Sequence, residues 1–333
     1  METHVALIGI DEQTALVYRD GSWEVRGRGR VSILGEEFNS ETPCHRGASL
    51  GAPPSGRARR EGERMTTNLK LLCVFAHPDD ESLGNGGILA RYAAEGIETS
   101  LVVATRGERG WWGKEEEYPG LDAFGKRREA EVLAAAKVLG LHRVEFLDYL
   151  DGELDQADPT EAITKIVGHL RRVRPDVVVT FGPDGSYGHP DHIAICQFTT
   201  AALVEAANPN PVDSSQLTPH RVSKLYYMVA TQQLLNAYQS VFGELVMHID
   251  GKERRGVGWP EWAITTRIDT QTYRQTVWEA VLCHESQLSV YRQLEQVSQE
   301  YQEELWDSQS YYRALSLVNG GRRVEEDLFE GLR

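Results

Sequence analysis

The sequence predicts an α/β fold: a Rossmann-like, mostly parallel sheet with helices on both faces, preceded by a short N-terminal β-rich extension. Three observations carry the prediction. From Lys70 onward, short runs of Val, Ile, Leu and Phe alternate with amphipathic stretches, the pattern of successive βα units. A Gly or Pro closes each amphipathic stretch, at Gly96, Gly140, Pro175 and Pro209, where helices stop. Before residue 65 the apolar runs are short, turn residues interrupt them, and no helical period survives.

Taken in order, residues 5–10, 15–18 and 23–34 read as short strands joined by turns such as Asp20-Gly21, too little to form a stable domain alone. Residues 35–64 crowd Gly, Pro, Ser, Arg and Glu together, which is linker composition, and the cluster from Arg57 to Arg64 reads as its solvated part. Met65, followed by the apolar run 69–75, looks like a second beginning. Residues 1–64 are therefore expected to be an extension and linker, and residues 65–333 the functional domain. Buried strands are expected at 71–76, 99–105, 143–147, 177–181 and 224–230, whose near-continuous apolar character suits a sheet covered on both faces. Helices are expected at 83–95, 124–139, 160–173 and 191–206, and residues 273–305 read as one or two long polar helices packed across the domain.

Composition narrows the function classes. Acidic residues outnumber basic ones by 50 to 35, and a formal charge of −15 argues against binding nucleic acid or anionic membranes. No stretch approaches the roughly 20 apolar residues of a membrane span, and the first residues lack a signal-peptide pattern. The four cysteines are scattered, without a CxxC pair, which fits a reducing compartment. A cytoplasmic enzyme is the expectation, and nothing in the pattern speaks to its oligomeric state.

Two runs carry the chemistry. Ala76-His77-Pro78-Asp79-Asp80-Glu81 stands where the first domain strand ends and a helix begins, and open α/β sheets bind ligands outside the carboxyl ends of their strands. Pro78 cannot continue a ladder and helps hold its neighbours in a turn. Three successive carboxylates repel one another unless a cation neutralises them, and His with Asp suits zinc. An acidic helix cap is the alternative reading of this run alone. Tyr187-Gly188-His189-Pro190-Asp191-His192 repeats the arrangement after the run 177–181, so the two turns can converge on one site.

With these residues in view, AHPDDE and HPDH resemble the PIG-L/LmbE-like deacetylase family. The likeness extends over most of residues 68–290, through Thr105-Arg106-Gly107-Glu108, the helix around Arg128, Asp151-Gly152 and His284-Glu285-Ser286-Gln287. It implies that His77, Asp80 and His192 bind zinc, with iron(II) as the alternative ion. It also implies that Asp79 is the general base, His189 an acid or electrostatic stabiliser, Tyr187 an oxyanion donor and Asp191 the residue that orients His189. Arg128 and Asp151 would contact the sugar, and His284 would stand at the site rim.

The implied activity is removal of the N-acetyl group from a small-molecule N-acetylglucosaminyl conjugate by zinc-activated water. Two other readings stay open: an amidase of thiol or glycosylated natural-product conjugates on the same metal core, and a non-catalytic sugar-binding module. Nucleotide binding is disfavoured, because carboxylates stand where a GxGxxG loop would cradle phosphates. Trp111 and Trp112 stand in a long loop that either walls a sugar site or is an ordinary surface loop.

Overall fold

The computed structural model describes residues 69–209, 217–321 and 323–333, together with the backbone of five short upstream strands. Its contacts divide the chain into Met1–Thr66 and Thr67–Arg333. In the first unit, Val31–Ile33 pairs antiparallel with both Ile8–Ile10 and Glu36–Phe38, and Thr14–Arg19 forms a hairpin with Ser22–Gly27. The strand expected at 23–34 is thus described as two, Ser22–Gly27 and Val31–Ile33. Glu36–Phe38 carries strand pairing into the stretch read as linker. The rest of that linker, with Arg57 to Arg64 and Met65, lies outside the described residues.

The second unit is built on seven strands: β1 (Lys70–Phe75), β2 (Glu98–Thr105), β3 (Arg143–Tyr149), β4 (Val177–Phe181), β5 (Lys224–Met228), β6 (Thr266–Asp269) and β7 (Ser308–Ser316). Their order across the sheet is β6-β7-β5-β4-β1-β2-β3. β1 to β5 are mutually parallel, whereas β7 pairs antiparallel with β5 and with β6. Every residue of β4 is buried, as is all of β1 after Lys70, which is why those runs are apolar throughout instead of alternating. The α/β prediction holds. β6 and β7 are additions, an antiparallel pair with β6 at the sheet edge, whose polar residues hid them among the surrounding helical sequence.

The helices are α1 (Gly86–Ala94), α2 (Leu121–Leu139), α3 (Pro159–Val173), α4 (Pro190–Ala206), α5 (Gln232–Phe242), α6 (Arg274–Leu282) and α7 (Gln299–Trp306). α1, α2 and α6 pack together, and α3 packs on α4. Local chemistry sets their ends. Asp158 accepts the Thr160 and Glu161 N–H groups ahead of Pro159, and Gly140 closes α2 at φ 76°. The helix expected at 83–95 begins instead as the single turn Asp80–Leu83 and restarts at Gly86. The buried Asn85 side chain makes that break, donating to Met228 Sδ and accepting from Tyr311 Oη. Residues 273–305 also differ from expectation, because α6 gives way to short turns and the single turn Leu288–Tyr291 before α7. Among the described residues no helix is long and apolar enough to cross a membrane.

The chain runs from β1 out to β2 and β3 and then returns to β4 on the other side of β1. β1 and β4 therefore flank the point where the strand order reverses, and their carboxyl ends open a crevice between diverging connections. His77 follows β1 and His189 to His192 follow β4, so the topology brings both motifs to one place.

Candidate metal centre

β1 ends in a turn that is strained at one residue. Asp79 adopts φ 104°, a left-handed conformation that costs a non-glycine residue about 1–3 kcal/mol. Its backbone N–H donates to Glu81 Oε2 at 2.9 Å, and its carbonyl accepts from Ser82 and Leu83 N–H. Glu81 is fully buried and is held in turn by His284 Nε2 at 2.8 Å and by the Ser82 hydroxyl at 2.6 Å. Burial works against a charge on either group. The opposite partner prevails, so Glu81 titrates below and His284 above its ordinary range. His284 is 0% exposed, so it does not stand at a site rim as expected; its ring is spent on the turn beneath Asp79.

The turn after β4 is also tight. Ser186 has φ 64°, and a Cβ on Gly188 would meet Arg254 Cβ at 2.6 Å. His189 caps α4, its Nδ1 accepting from Asp191 N–H at 3.2 Å, and Pro190 fills the first helical position. The helix start then presents Asp191 and His192, both buried, towards the end of β1.

Three donor groups converge between these turns. His77 Nδ1 and His192 Nε2 face each other at 3.2 Å, and each lies 3.7 Å from an Asp80 carboxylate oxygen. Two imidazole nitrogens bound to one zinc ion at about 2.0–2.1 Å sit at such a separation from each other. The other His77 nitrogen, Nε2, lies 3.1 Å from Asp151 Oδ1 and 3.2 Å from Asp191 Oδ2. Those carboxylates would hold a proton on Nε2 when Nδ1 gives its lone pair to an ion, the arrangement that orients histidine ligands in metal sites. The donor set fits a divalent cation. A His189 nitrogen also lies within 4.8 Å of donor nitrogens of His77 and His192.

The titration behaviour follows from crowding. Burial lowers the basicity of His77, but the bonds and charges of Asp151, Asp191 and Asp80 overcome it and raise its pKa well above the ordinary value. Burial pushes Asp80 up to about 7 against the pull of His77. His189 is held down to about 4, by burial first and then by the charge of His77. Burial and the charges of Asp80 and Asp79 raise Tyr187, which keeps its phenol proton. The Tyr187 ring stands edge-on to His189 and His192 at centroid separations of 5.9 Å and 5.7 Å.

Three expected roles change with the geometry. The Asp191 carboxylate does not turn to the His189 ring; it accepts Gly152 N–H at 2.7 Å and Leu154 N–H at 3.1 Å and faces His77. Asp151, expected at the sugar, serves as the second carboxylate on His77 and also accepts Arg109 N–H. Arg128, also expected at the sugar, is 3% exposed and reaches inward to Asp79 Oδ2 at 2.6 Å and to Gly107 O at 3.0 Å. A partner absent from the sequence reading joins it. The Tyr291 hydroxyl donates to the same Asp79 oxygen at 2.5 Å. Nothing in the sequence around Tyr291 signals this contact, since 212 residues separate the two. In the long loop, Trp111 packs edge-on to Phe124 and close to Tyr118, whereas Trp112 is exposed.

Residues 72–203 match the PIG-L family, described as GlcNAc-PI de-N-acetylase. Over 295 residues the chain is 34% identical to the 1D-myo-inositol 2-acetamido-2-deoxy-alpha-D-glucopyranoside deacetylase of Streptomyces avermitilis, covering 79% of this chain and 97% of that one. The chain belongs to the PIG-L family. The resemblance carried by AHPDDE and HPDH is thereby borne out. This PIG-L member is also 30% identical over 301 residues to the mycothiol S-conjugate amidase of Streptomyces coelicolor, covering 81% of this chain and 99% of that one. Among solved structures, it is similar to a conserved protein from Thermus thermophilus, with a TM-score of 0.54 at 28% identity over 76% of this chain and 97% of that one.

Proposed function

We propose that this PIG-L member is a zinc-dependent hydrolase that removes the acetyl group from the amino sugar of a small-molecule N-acetylglucosaminyl conjugate, with an inositol-linked sugar as the first substrate to test. One observation carries the reading. His77 Nδ1 and His192 Nε2 stand 3.2 Å apart, 3.7 Å from Asp80 Oδ2 and Oδ1 respectively, while Asp79 stays outside that trio with its carboxylate held by Arg128. One acidic group is thus left to move a proton while its neighbour binds the ion.

His77, Asp80 and His192 would hold the zinc, and iron(II) is a second ion that this donor set accepts. Zinc in such a site polarises an amide carbonyl and brings the pKa of water to about 7. Asp79 takes the proton from water as it attacks the acetamide carbon, and then delivers it to the departing sugar nitrogen. The Tyr187 hydroxyl, protonated and next to both histidine rings, donates to the oxygen that becomes negative on the substrate. His189 adds a polar group beside that oxygen. Asp151 and Asp191 keep His77 in one tautomer and one orientation.

The test is primary-amine release from N-acetylglucosamine linked to inositol, compared with other N-acetylglucosaminyl conjugates, using wild-type protein and Asp79→Ala. Wild type should release the amine and acetate. The variant should keep its metal and lose at least about a hundredfold in kcat, the scale of general-base loss. Near-normal turnover by Asp79→Ala would remove the assignment. The likeness to a mycothiol S-conjugate amidase favours one second reading, hydrolysis of an amide in a thiol conjugate on the same metal core. Activity on such a conjugate without acetate release would select it.

A further inference from the structure

We propose that Tyr291 is a positioning residue for the reaction, gripping one oxygen of Asp79 so that the other is left to take the proton from water. This rests on the assignment of Asp79 as base. Asp79 Oδ2 accepts two donors, Arg128 Nη2 at 2.6 Å and Tyr291 Oη at 2.5 Å; Arg128 is buried and Tyr291 is partly buried. A carboxylate carried on a strained backbone at φ 104° has two free side-chain torsions, and a single donor would leave it able to swing about that contact. Two donors converging from different elements remove the swing. Orientation of this kind is worth much of an enzymatic barrier, because a proton acceptor works only within hydrogen-bond reach of its water.

The two donors are themselves tied together. Arg128 lies on α2, and Glu131, one turn further along the same helix, accepts the Ser286 N–H at 2.8 Å and its hydroxyl at 2.7 Å. Gln287 Nε2 donates to Gly110 O at 3.0 Å, anchoring the same segment to the loop after β2. Ser286 and Gln287 lead directly into Leu288–Tyr291, so the strand-end turn, α2 and this late turn meet at one carboxylate oxygen. The break between α6 and α7, within the stretch expected to form one or two long helices over 273–305, thus has a use. A continuous helix through these residues would not combine the buried Ser286 and Gln287 bonds with a Tyr291 hydroxyl aimed at Asp79. Burial and the charge of Asp79 keep the phenol protonated, as a donor must be.

Tyr291→Phe removes the hydroxyl and keeps the ring, and Arg128 continues to pair the carboxylate, so folding should survive. Steady-state kinetics on the N-acetylglucosaminyl substrate, with metal content and thermal unfolding recorded on the same samples, test the proposal. The expected result is a kcat lowered about tenfold, the worth of a hydrogen bond to a charged group, with KM and metal stoichiometry unchanged. Unchanged kcat would overturn the proposal, as would a raised KM at constant kcat, which would place the hydroxyl on the sugar. A loss of metal or a collapse of the unfolding transition would also overturn it, by making Tyr291 structural. If Asp79→Ala keeps near-normal turnover in the same assay, the assignment of the base itself fails. If Asp79→Ala is inactive and Tyr291→Phe is fully active, only the inference about Tyr291 fails.

Discussion

Asp79 and Glu81 show how neighbouring acidic side chains come to do different work. Asp80 turns towards the histidines, Asp79 towards Arg128 and Tyr291, and Glu81 back under the turn to His284. The Glu81–His284 pair has both side chains 0% exposed, so removing either member strands the other charge in the core. His284→Ala is expected to lower folding stability by about 3–5 kcal/mol, the cost of breaking a buried ion pair from one side. Urea unfolding checks this, and a loss under about 1 kcal/mol would mean that Glu81 finds another partner. At this scale the sequence was informative where chemistry is local. His77, Asp80, His189 and His192 stand in two short runs at strand ends, and their meeting follows from the strand order. The protein partners of Arg128, Asp151, His284 and Tyr291 are not legible, because they lie across the fold and no spacing encodes which way a guanidinium or phenol turns. Asp191 meets His189 through its backbone N–H, and its adjacency to that ring conceals the bonds of its carboxylate to Gly152, Leu154 and His77.

Among the elements, β1, β2 and β4 are legible because burial on both faces leaves little room for polar residues, whereas β3, expected to be buried, stands at the sheet edge with only Leu147 buried and is betrayed by its short apolar run alone. The antiparallel edge is not legible. β6 is only Thr266–Asp269, and it alternates buried with exposed residues, while β7 carries Ser, Gln and Arg among its aromatics. What fixes this edge is a buried polar knot around Glu325. Its carboxylate accepts Lys224 Nζ at 2.7 Å, Tyr226 Oη at 2.7 Å and Thr266 Oγ1 at 2.9 Å, joining β5 to β6. Burial alone would raise the Glu325 pKa, but the bonds from Lys224, Tyr226 and Asn319 hold it below the ordinary 4.5. A depressed folded-state pKa stabilises above the unfolded value, and that contribution is lost as pH falls through the folded one. Glu325→Gln should therefore be less stable than wild type at pH 7, and the gap should narrow as the pH drops below about 4.5 towards 3. Denaturation midpoints across that range check it, and a gap independent of pH would show that the ionised carboxylate is not what holds the edge. The broken helices after α6 were illegible for a related reason. Tertiary bonds from His284, Ser286 and Gln287 override the helical preference of a polar stretch whose local pattern favours continuity.

For the whole molecule, the sheet, both motifs and every site contact lie within Thr67–Arg333. We propose that residues 1–64 are dispensable, so a chain beginning at Met65 should fold and keep kcat/KM within about twofold of the full chain, the scale of changes away from a site. Loss of folding or of all activity would assign those residues a part in the domain. The central claim is that a metal held by His77, Asp80 and His192 serves a deacetylation for which Asp79 is the base. Amine release from N-acetylglucosaminyl-inositol, measured on the same protein before chelation, after it, and after zinc is returned, tests it most directly. Activity should disappear on metal removal and return with about one zinc per chain, as a single three-ligand catalytic site requires. Turnover that persists in fully metal-free protein, or none in zinc-loaded protein on any N-acetylglucosaminyl conjugate, would contradict it.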